Sequence, residues 1–337
     1  MNREDIKIPA AAFGLSEPRE VQRLPGGHIH ESFRIRTAEG EFVLQRTGGA
    51  LAPYLSDIME NTRLLSEVYP EGLHFLRAGD GYLYRDSGGR LWRASRYIPG
   101  RSKDTVIGTE EAERTGRAYG GFLRAVNRLP VSAFRTVIPH FHDPGRYLAE
   151  LKRVVREARE KDGREEQLQE RLSGLLTRID CDRQISGMPQ RLVHNDVKPA
   201  NVIFREDESG IVIDTDTVMP GFLFFDLGDG LRSVGVMLSE NGERLPVPDA
   251  GKAAAFYRGF TEELGNAFPE ITVLDPAAAW TCITAELAVR YLGDAVSGNG
   301  YFHMSREETF KKAEFYTEYA ERAEHMDRLV FLDSKVR

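Results

Sequence analysis

Three polar residues stand at spacings that suit the transfer of a charged group. In "LVHNDVKPANVIF", residues 192–204, Asp196 and Asn201 lie five apart across a turn that contains Pro199. In "IVIDTDTV", the apolar run Ile211, Val212, Ile213 leads into Asp214 and Asp216. Mg²⁺ takes hard oxygen ligands, and usually one or two carboxylates plus phosphate oxygens. Asn201 and Asp214 provide such oxygens if their two strands are adjacent, which leaves Asp196 free to accept a hydroxyl proton. Lys198 is placed to meet a transferring phosphate as a point charge. Asp214 and Asp216 share one face if their stretch is a strand, so Asp216 could assist the metal or bind an acceptor. The bland alternative is a loop whose Asp and Asn cap turns. The order Asp-x4-Asn, with an Asp thirteen residues later after an apolar strand, turns the reading toward phosphoryl transfer.

The rest of the chain must position these groups. "SFRIRT" and "EFVLQRT" alternate apolar and polar residues around Ala38-Glu39-Gly40 and predict a hairpin. A helix is expected from Leu55 to Glu67, and a second hairpin across Ser87-Gly88-Gly89. "YIPGRS" breaks both periodicities, which puts a lobe boundary near Pro99-Gly100. Helical periodicity then dominates: Glu110 to Asn127, Pro144 to about Arg178 with an interruption at Gly163, Ala250 to Leu264, Pro276 to Val296, and Arg306 to Arg328. The exception is 192–216, where two short strands sit among helices. These elements predict an α+β chain with a small β-rich lobe and a larger, mainly helical one.

Composition narrows the class. The 337 residues are 41% hydrophobic and 29% charged, the balance of a globular protein with a sizeable core. The net charge is −7 and no basic block or basic aromatic face appears, which argues against a nucleic-acid partner. "MNREDIKIPAAAFGL" lacks the apolar core of a signal peptide, and no run is long enough to span a membrane. Cys181 and Cys282 are far apart in sequence with no metal-ligand spacing, so a disulfide framework is not expected and a reducing cytoplasm fits best.

"HNDVKPANVIF" followed by "VIDTDTVMPGFLFFDLGDGLR" resembles the aminoglycoside-phosphotransferase-like (choline-kinase-like) kinases. Within them it is most similar to the N-acetylhexosamine 1-kinases, through D-x-D-T-V-M-P and the D-x-G-D-x-x-R of Asp226 to Arg232. Looser likenesses run through "GGHIHESFRI", "FVLQRTGG", "MENTRLL", "IPHFHDPGRY" and "ELAVRYLGDAVSGNGYF", so the resemblance covers about residues 20–320. It implies a bilobal protein-kinase-like fold, with residues 1–98 as a nucleotide-binding lobe and 99–337 as a catalytic and acceptor-binding lobe. It also implies ATP and Mg as cofactors and a sugar as acceptor, phosphorylated at the anomeric hydroxyl.

The nucleotide lobe departs from the kinase pattern. Gly26 and Gly27 before His28 would let backbone N–H groups approach phosphates, although alone they read equally as a hairpin turn. Kinases grip the phosphates with a strand Lys held by a helix Glu, but Gln45 falls at the Lys position and Arg46 follows it. Neighbouring strand residues face opposite ways, so either Gln45 binds phosphate neutrally or a bulge brings Arg46 round. Glu60 is the candidate helix Glu, against the alternative of a solvated surface residue. Tyr97 and Ile98 would form the adenine connector.

On the acceptor side, Arg290 and Asp294 are four apart on one helix face, followed by Tyr301. Composition alone reads these as a surface salt bridge and a buried Tyr; the resemblance makes Arg290 and Tyr301 sugar contacts. His140 and His142 could border the pocket, Asp226 and Asp229 read as braces for the Asp196 loop, and Trp92 and Trp280 as core. Other acceptors (choline, homoserine, an aminoglycoside, a different sugar) and a nucleotide- or sugar-sensing pseudokinase are the rival readings.

Overall fold

The alternating residues of the first hundred positions do form a sheet. The computed structural model describes residues 3–25, 30–158, 163–327 and 329–332. Helix α1 (Arg3–Ala12) is followed by strands β1 (Glu20–Arg23), β2 (Glu31–Arg36) and β3 (Glu41–Arg46), helix α2 (Leu55–Val68), and strands β4 (Tyr84–Arg85) and β5 (Leu91–Arg96). The strands make one antiparallel sheet in the order β1-β2-β3-β5-β4. Its register sets Gln45 opposite Arg93. α1 was not expected. It covers the sheet's apolar face, where Ile6, Ala10 and Phe13 pack with Phe33, Ile35, Phe42, Leu44 and Trp92.

The large lobe comprises α3 (Thr109–Val126), α4 (Pro144–Glu157), α5 (Arg164–Ile179), α6 (Cys181–Ile185), β6 (Arg191–Val193), β7 (Val202–Phe204), β8 (Gly210–Val212), β9 (Met219–Gly221), α7 (Leu223–Val234), β10 (Val236–Leu238), β11 (Arg244–Pro248), α8 (Ala250–Leu264), α9 (Pro276–Ser297), α10 (Arg306–Glu324) and α11 (Leu329–Leu332). The architecture is bilobal α+β, a small sheet lobe beside a mainly helical one. The helical stretch expected from Pro144 is divided into two helices, the second starting after Gly163, the expected point of interruption, which stands in the left-handed region at φ 82°. The 192–216 segment holds three strands where two were expected: β7 pairs with β8, and β6 pairs with β9 beyond the segment. α7, LFFDLGDGLRSV, was not among the expected helices; it is buried on nearly every side, its Asp226 and Asp229 included.

Two packing features fix the site. Small residues let α3 and α8 approach closely. A Cβ at Gly116 would sit 2.2 Å from the Phe256 carbonyl oxygen, and one at Gly259 would sit 2.2 Å from that of Glu113. α2, although it lies between sheet strands in sequence, buries Leu65 in the large-lobe core, and its Leu55 and Ile58 pack with Val137 and Met219.

The two cysteines correct the sequence reading, because Cys181 and Cys282 are paired, with Cα atoms 6.4 Å apart across 101 residues of chain. The bond joins α6 to α9, a tertiary neighbourhood that cysteine spacing does not reveal. Among the described residues no helix is long and apolar enough to cross a membrane.

Candidate active site

The Asp196 loop is held from both ends by groups that accept or donate to its backbone. Asp226, fully buried on α7, accepts hydrogen bonds from the His194 N–H and the Asn195 N–H, each at 2.7 Å. Burial pushes the Asp226 carboxyl up to about 7, against the pull of those two N–H groups. The Tyr119 hydroxyl from α3 accepts from the Lys198 N–H (3.1 Å) and donates to the Lys198 carbonyl (3.0 Å). His194 Nδ1 accepts from the Asp196 N–H (3.3 Å), which leaves Nε2–H to donate to the Ile213 carbonyl at 3.1 Å. Burial lowers the His194 pKa, in keeping with this neutral tautomer. Asn195 completes the turn in a left-handed conformation, φ 65°.

Inside the loop, Asp196 Oδ2 accepts from Lys198 Nζ (2.6 Å) and from Asn201 Nδ2 (2.9 Å). Asp196 Oδ1 makes no hydrogen bond among the described residues. Burial works to raise the Asp196 pKa, but Lys198 outweighs it and the net shift is down. Because Asn201 turns its NH₂ toward Asp196, its amide oxygen faces the other way and has no hydrogen-bond partner among the described residues.

Asp214 does not continue the strand. It sits at φ 58°, ψ 53°, the left-handed region that a non-glycine residue enters at a cost, and Thr215–Thr217 is a 3₁₀ turn. The shared strand face expected for Asp214 and Asp216 is therefore absent, and the two carboxylates have different surroundings. Neither oxygen of Asp214 has a hydrogen bond or ion pair among the described residues. Burial first, then Asp216 and Asp196, push its carboxyl up to about 6. Ile213 donates to the Asn201 carbonyl (2.9 Å), which brings Asp214 and Asn201 to adjoining ends of the β7–β8 pair. A repelled carboxylate without a partner beside an amide oxygen without a partner is a donor set that suits a hard divalent cation.

Asp216 is fully engaged. Its Oδ1 accepts from Arg93 Nη1 at 2.6 Å and its Oδ2 lies 2.9 Å from His30 Nε2, with all three groups buried. Arg93 Nε also donates to Gln45 Oε1 (2.8 Å), and Gln45 Nε2 donates to Ser32 Oγ at 3.0 Å. Arg46 does not come round; it pairs with Glu31 on the neighbouring strand. Glu60 lies on the outer side of α2 and pairs with Arg63 three residues on, 2.8 Å away, so it does not reach Gln45. Its neighbour Asn61 turns inward instead. Asn61 Nδ2 donates to the Arg135 and Val218 carbonyls (2.9 and 3.1 Å), and its Oδ1 accepts from the Arg135 N–H at 3.0 Å. The Tyr97 N–H is taken by the Glu41 carbonyl (3.0 Å), and its ring lies 4.0 Å under the Arg34 guanidinium. Ile98 packs on the large-lobe core. Gly26, Gly27 and His28 lie outside the described residues.

On the acceptor side, Arg290 does not pair with Asp294. Its guanidinium lies among the rings of Tyr147, Tyr301 and Phe141, at 5.3, 5.5 and 5.9 Å, and donates to the Tyr301 hydroxyl at 3.2 Å. Asp294 instead accepts from the Tyr301 and Phe302 N–H groups (2.9 and 3.2 Å), one on each oxygen, and so shapes the loop. Tyr301 is 57% exposed, not buried. Asp229 is bonded to Arg232 at 2.7 Å. His140 pairs with Asp143 at the surface, and no cluster of three His, Cys, Asp or Glu suited to a metal exists among the described residues.

A family model described as the phosphotransferase enzyme family matches residues 20–264 of the chain. The chain belongs to that family. Solved structures share the fold. Spectinomycin phosphotransferase APH(9)-Ia, in complex with ADP and spectinomycin, has a TM-score of 0.64 at 15% identity over 97% of this chain and 99% of its own. An aminoglycoside phosphotransferase from Alicyclobacillus acidocaldarius gives 0.58 at 17% identity over 93% and 90%. The macrolide 2'-phosphotransferase MphH from Brachybacterium faecium gives 0.57 at 16% over 92% and 97%.

In this phosphotransferase the groups to which motifs assigned no role are Arg93, His30, Tyr119 and Asn61. His30 and Asn61 lie inside the family-like stretches "GGHIHESFRI" and "MENTRLL", whereas Arg93 and Tyr119 lie in no such stretch. Arg93 carried one faint signal, a cation among the apolar residues of a central strand. A cavity of about 710 Å³ behind α3, bordered by Tyr69, Arg124, Arg128 and Phe268, contains none of the residues described above.

His142 joins α9 to the Asp196 loop of this phosphotransferase. Its Nδ1 lies 2.9 Å from buried Glu286 Oε1, and its Nε2 lies 3.0 Å from the Asn195 carbonyl. Burial alone would lower its pKa; the charge and hydrogen bond of Glu286, with Asp229 further off, more than offset that and the net shift is up. A raised histidine stabilises the folded state fully below its unfolded pKa, and that contribution is lost as pH rises through the folded value. The urea-unfolding midpoint should therefore contain a component that falls as pH climbs above about 6.5. Glu286→Gln should flatten that component. An unchanged pH slope in Glu286→Gln would show that the pair does not titrate as described.

Proposed function

We propose that the chain is an ATP- and Mg-dependent kinase that phosphorylates a sugar hydroxyl, the anomeric hydroxyl of an N-acetylhexosamine, to give the sugar 1-phosphate. The observation that carries the kinase reading is that Asp196 Oδ1 and the side-chain oxygens of Asn201 and Asp214 all lack a partner among the described residues. In this reading Asn201 and Asp214 would hold the metal, which would supply positive charge against that of the phosphates. Asp196 Oδ1 orients the acceptor hydroxyl and takes its proton, while Lys198 turns from Asp196 toward the transferred phosphate. Most of the rate then comes from position and charge, with no covalent step on the protein.

The sugar reading rests on the D-x-D-T-V-M-P and D-x-G-D-x-x-R resemblance and on Arg290 with Tyr301, a hydrogen-bonding cation set among rings that suit a sugar face. Arg290 opposes a polycationic acceptor such as the aminoglycosides bound by some of the solved relatives, because like charges repel. The division of labour follows the sequence boundary: residues 1–98 serve the nucleotide and residues 99–337 the metal, the base and the acceptor.

Incubation with Mg-ATP and a panel of sugars, aminoglycosides and amino alcohols, read by ³¹P NMR, tests both levels. The expected product carries a phosphate coupled to an anomeric proton. Transfer to an aminoglycoside or amino alcohol alone overturns the sugar assignment, and no acceptor-dependent ADP with any compound overturns the kinase.

A further inference from the structure

The small lobe has no lysine at the strand position that grips phosphates, and the helix carboxylate that would hold one faces solvent. The described structure contains the same pair of charges on different elements. Arg93 on β5 reaches across the sheet until its Nε meets Gln45 Oε1 at 2.8 Å, so its guanidinium occupies the space just beyond the end of the residue-45 side chain. Asp216 takes the place of the helix carboxylate, accepting from Arg93 Nη1 at 2.6 Å. His30 holds the second oxygen of Asp216 and so fixes the carboxylate's orientation. The rings nearby add to the constraint, with the Arg93 guanidinium 4.8 Å from the Phe75 ring centre.

Two further facts separate Arg93 from an ordinary buried ion pair. Its Nη2 makes no hydrogen bond among the described residues, although the side chain is only 2% exposed. Arg93 spends Nε and Nη1 on protein partners and so has a donor to spare. Its carboxylate partner is two residues beyond Asp214, so the cation stands beside the proposed metal ligands. From there a forked guanidinium can meet phosphate oxygens with directed hydrogen bonds, where an ammonium would act as a point charge.

On the kinase reading above, we infer that Arg93, held by Asp216 and braced by Gln45, is the small-lobe cation that binds the nucleotide's phosphates in place of the missing strand lysine. Gln45 is then a positioning residue that holds the arginine, and Arg46 has no part in the grip.

The test compares affinities for Mg-ATP and for adenosine, measured by calorimetry without acceptor. Arg93→Gln should weaken Mg-ATP by about 10-fold or more, the scale of a lost charge-assisted hydrogen bond, and leave adenosine within about 3-fold. A merely structural role would weaken both together, and that result overturns the inference. So does an Arg93→Gln protein that binds Mg-ATP like wild type, or a phosphate-selective loss in Arg46→Gln instead. If Arg93→Gln does not fold, the Nε–H resonance of Arg93, assigned by its disappearance in the charge-conserving Arg93→Lys, reports on the wild-type protein. It should shift on addition of Mg-ATP but not of adenosine, and no shift overturns the inference. Wild-type protein that binds no Mg-ATP overturns the kinase reading itself, whereas Mg-ATP binding indifferent to Arg93 overturns only the arginine.

Discussion

Asp196→Asn should lower kcat by at least about 100-fold, the scale of losing a general base, with the thermal unfolding midpoint little changed. The geometry dictates which atom is lost. The amide oxygen of the new Asn must take the place of Oδ2, because Lys198 Nζ and Asn201 Nδ2 both donate there, at 2.6 and 2.9 Å. The amide NH₂ is then forced into the place of Oδ1, where it can donate but cannot accept a proton. Shape and loop are kept, and the one acceptor facing the cleft is removed. Steady-state kinetics with the best acceptor from the ³¹P panel would show the fall in kcat with little change in the KM for ATP. Full turnover in this variant would remove Asp196 from the chemistry.

Asp214→Asn should abolish more function and cost no stability. Loss of a preorganised charge at a phosphoryl-transfer centre is worth about 10²–10³-fold in rate, and the stabilisation of the fold by Mg-nucleotide should vanish with it. The ligand-free protein is a different matter. Asp214 lacks a hydrogen-bonding partner among the described residues and is pushed up to about 6 by burial, Asp216 and Asp196. It also occupies a left-handed backbone conformation, which Asn tolerates better than most residues. Removing the charge therefore relieves repulsion, and the unfolding midpoint of the ligand-free variant should equal or exceed that of the wild type. Such opposed effects are expected where a residue is kept for function at the expense of stability. A variant that unfolds earlier without ligand, or that keeps its Mg-nucleotide stabilisation, would contradict this account.

The elements most legible in the sequence were those with a sustained periodic or apolar run. β2 and β3 alternate, α8 is periodic, and all three were placed within a residue or two of their ends. α7 escaped because the weak helix formers Asp226, Gly228, Asp229 and Gly230 crowd its centre and read as a loop. In the site, Asp196, Asn201 and Asp214 were legible because their spacing is set by one local turn and one short hairpin. What spacing cannot report is the direction in which a side chain leaves its element. One residue on a helix is a rotation of about 100°, enough to send Glu60 to Arg63 at the surface and Asn61 inward. Asp294 likewise sits on the expected face but spends its oxygens on the Tyr301 and Phe302 N–H groups. Contacts between elements remote in sequence, such as Arg93 with Asp216 or Cys181 with Cys282, leave no trace in either local sequence.

The inward turn of Asn61 bears on how activity could be controlled. In protein kinases the helix of the small lobe is positioned as part of activation. Here that helix is tied to the opposite lobe by the three hydrogen bonds of one amide, to Arg135 and Val218, and its C-terminal Tyr69 hydroxyl accepts from the Val212 N–H at 3.0 Å. Swinging it outward would strand buried donors and acceptors at about 1–3 kcal/mol each, with no charge pair of its own to make or break in the cleft. A catalyst built this way is permanently assembled: its output follows the supply of nucleotide and acceptor, with no on–off setting at this helix.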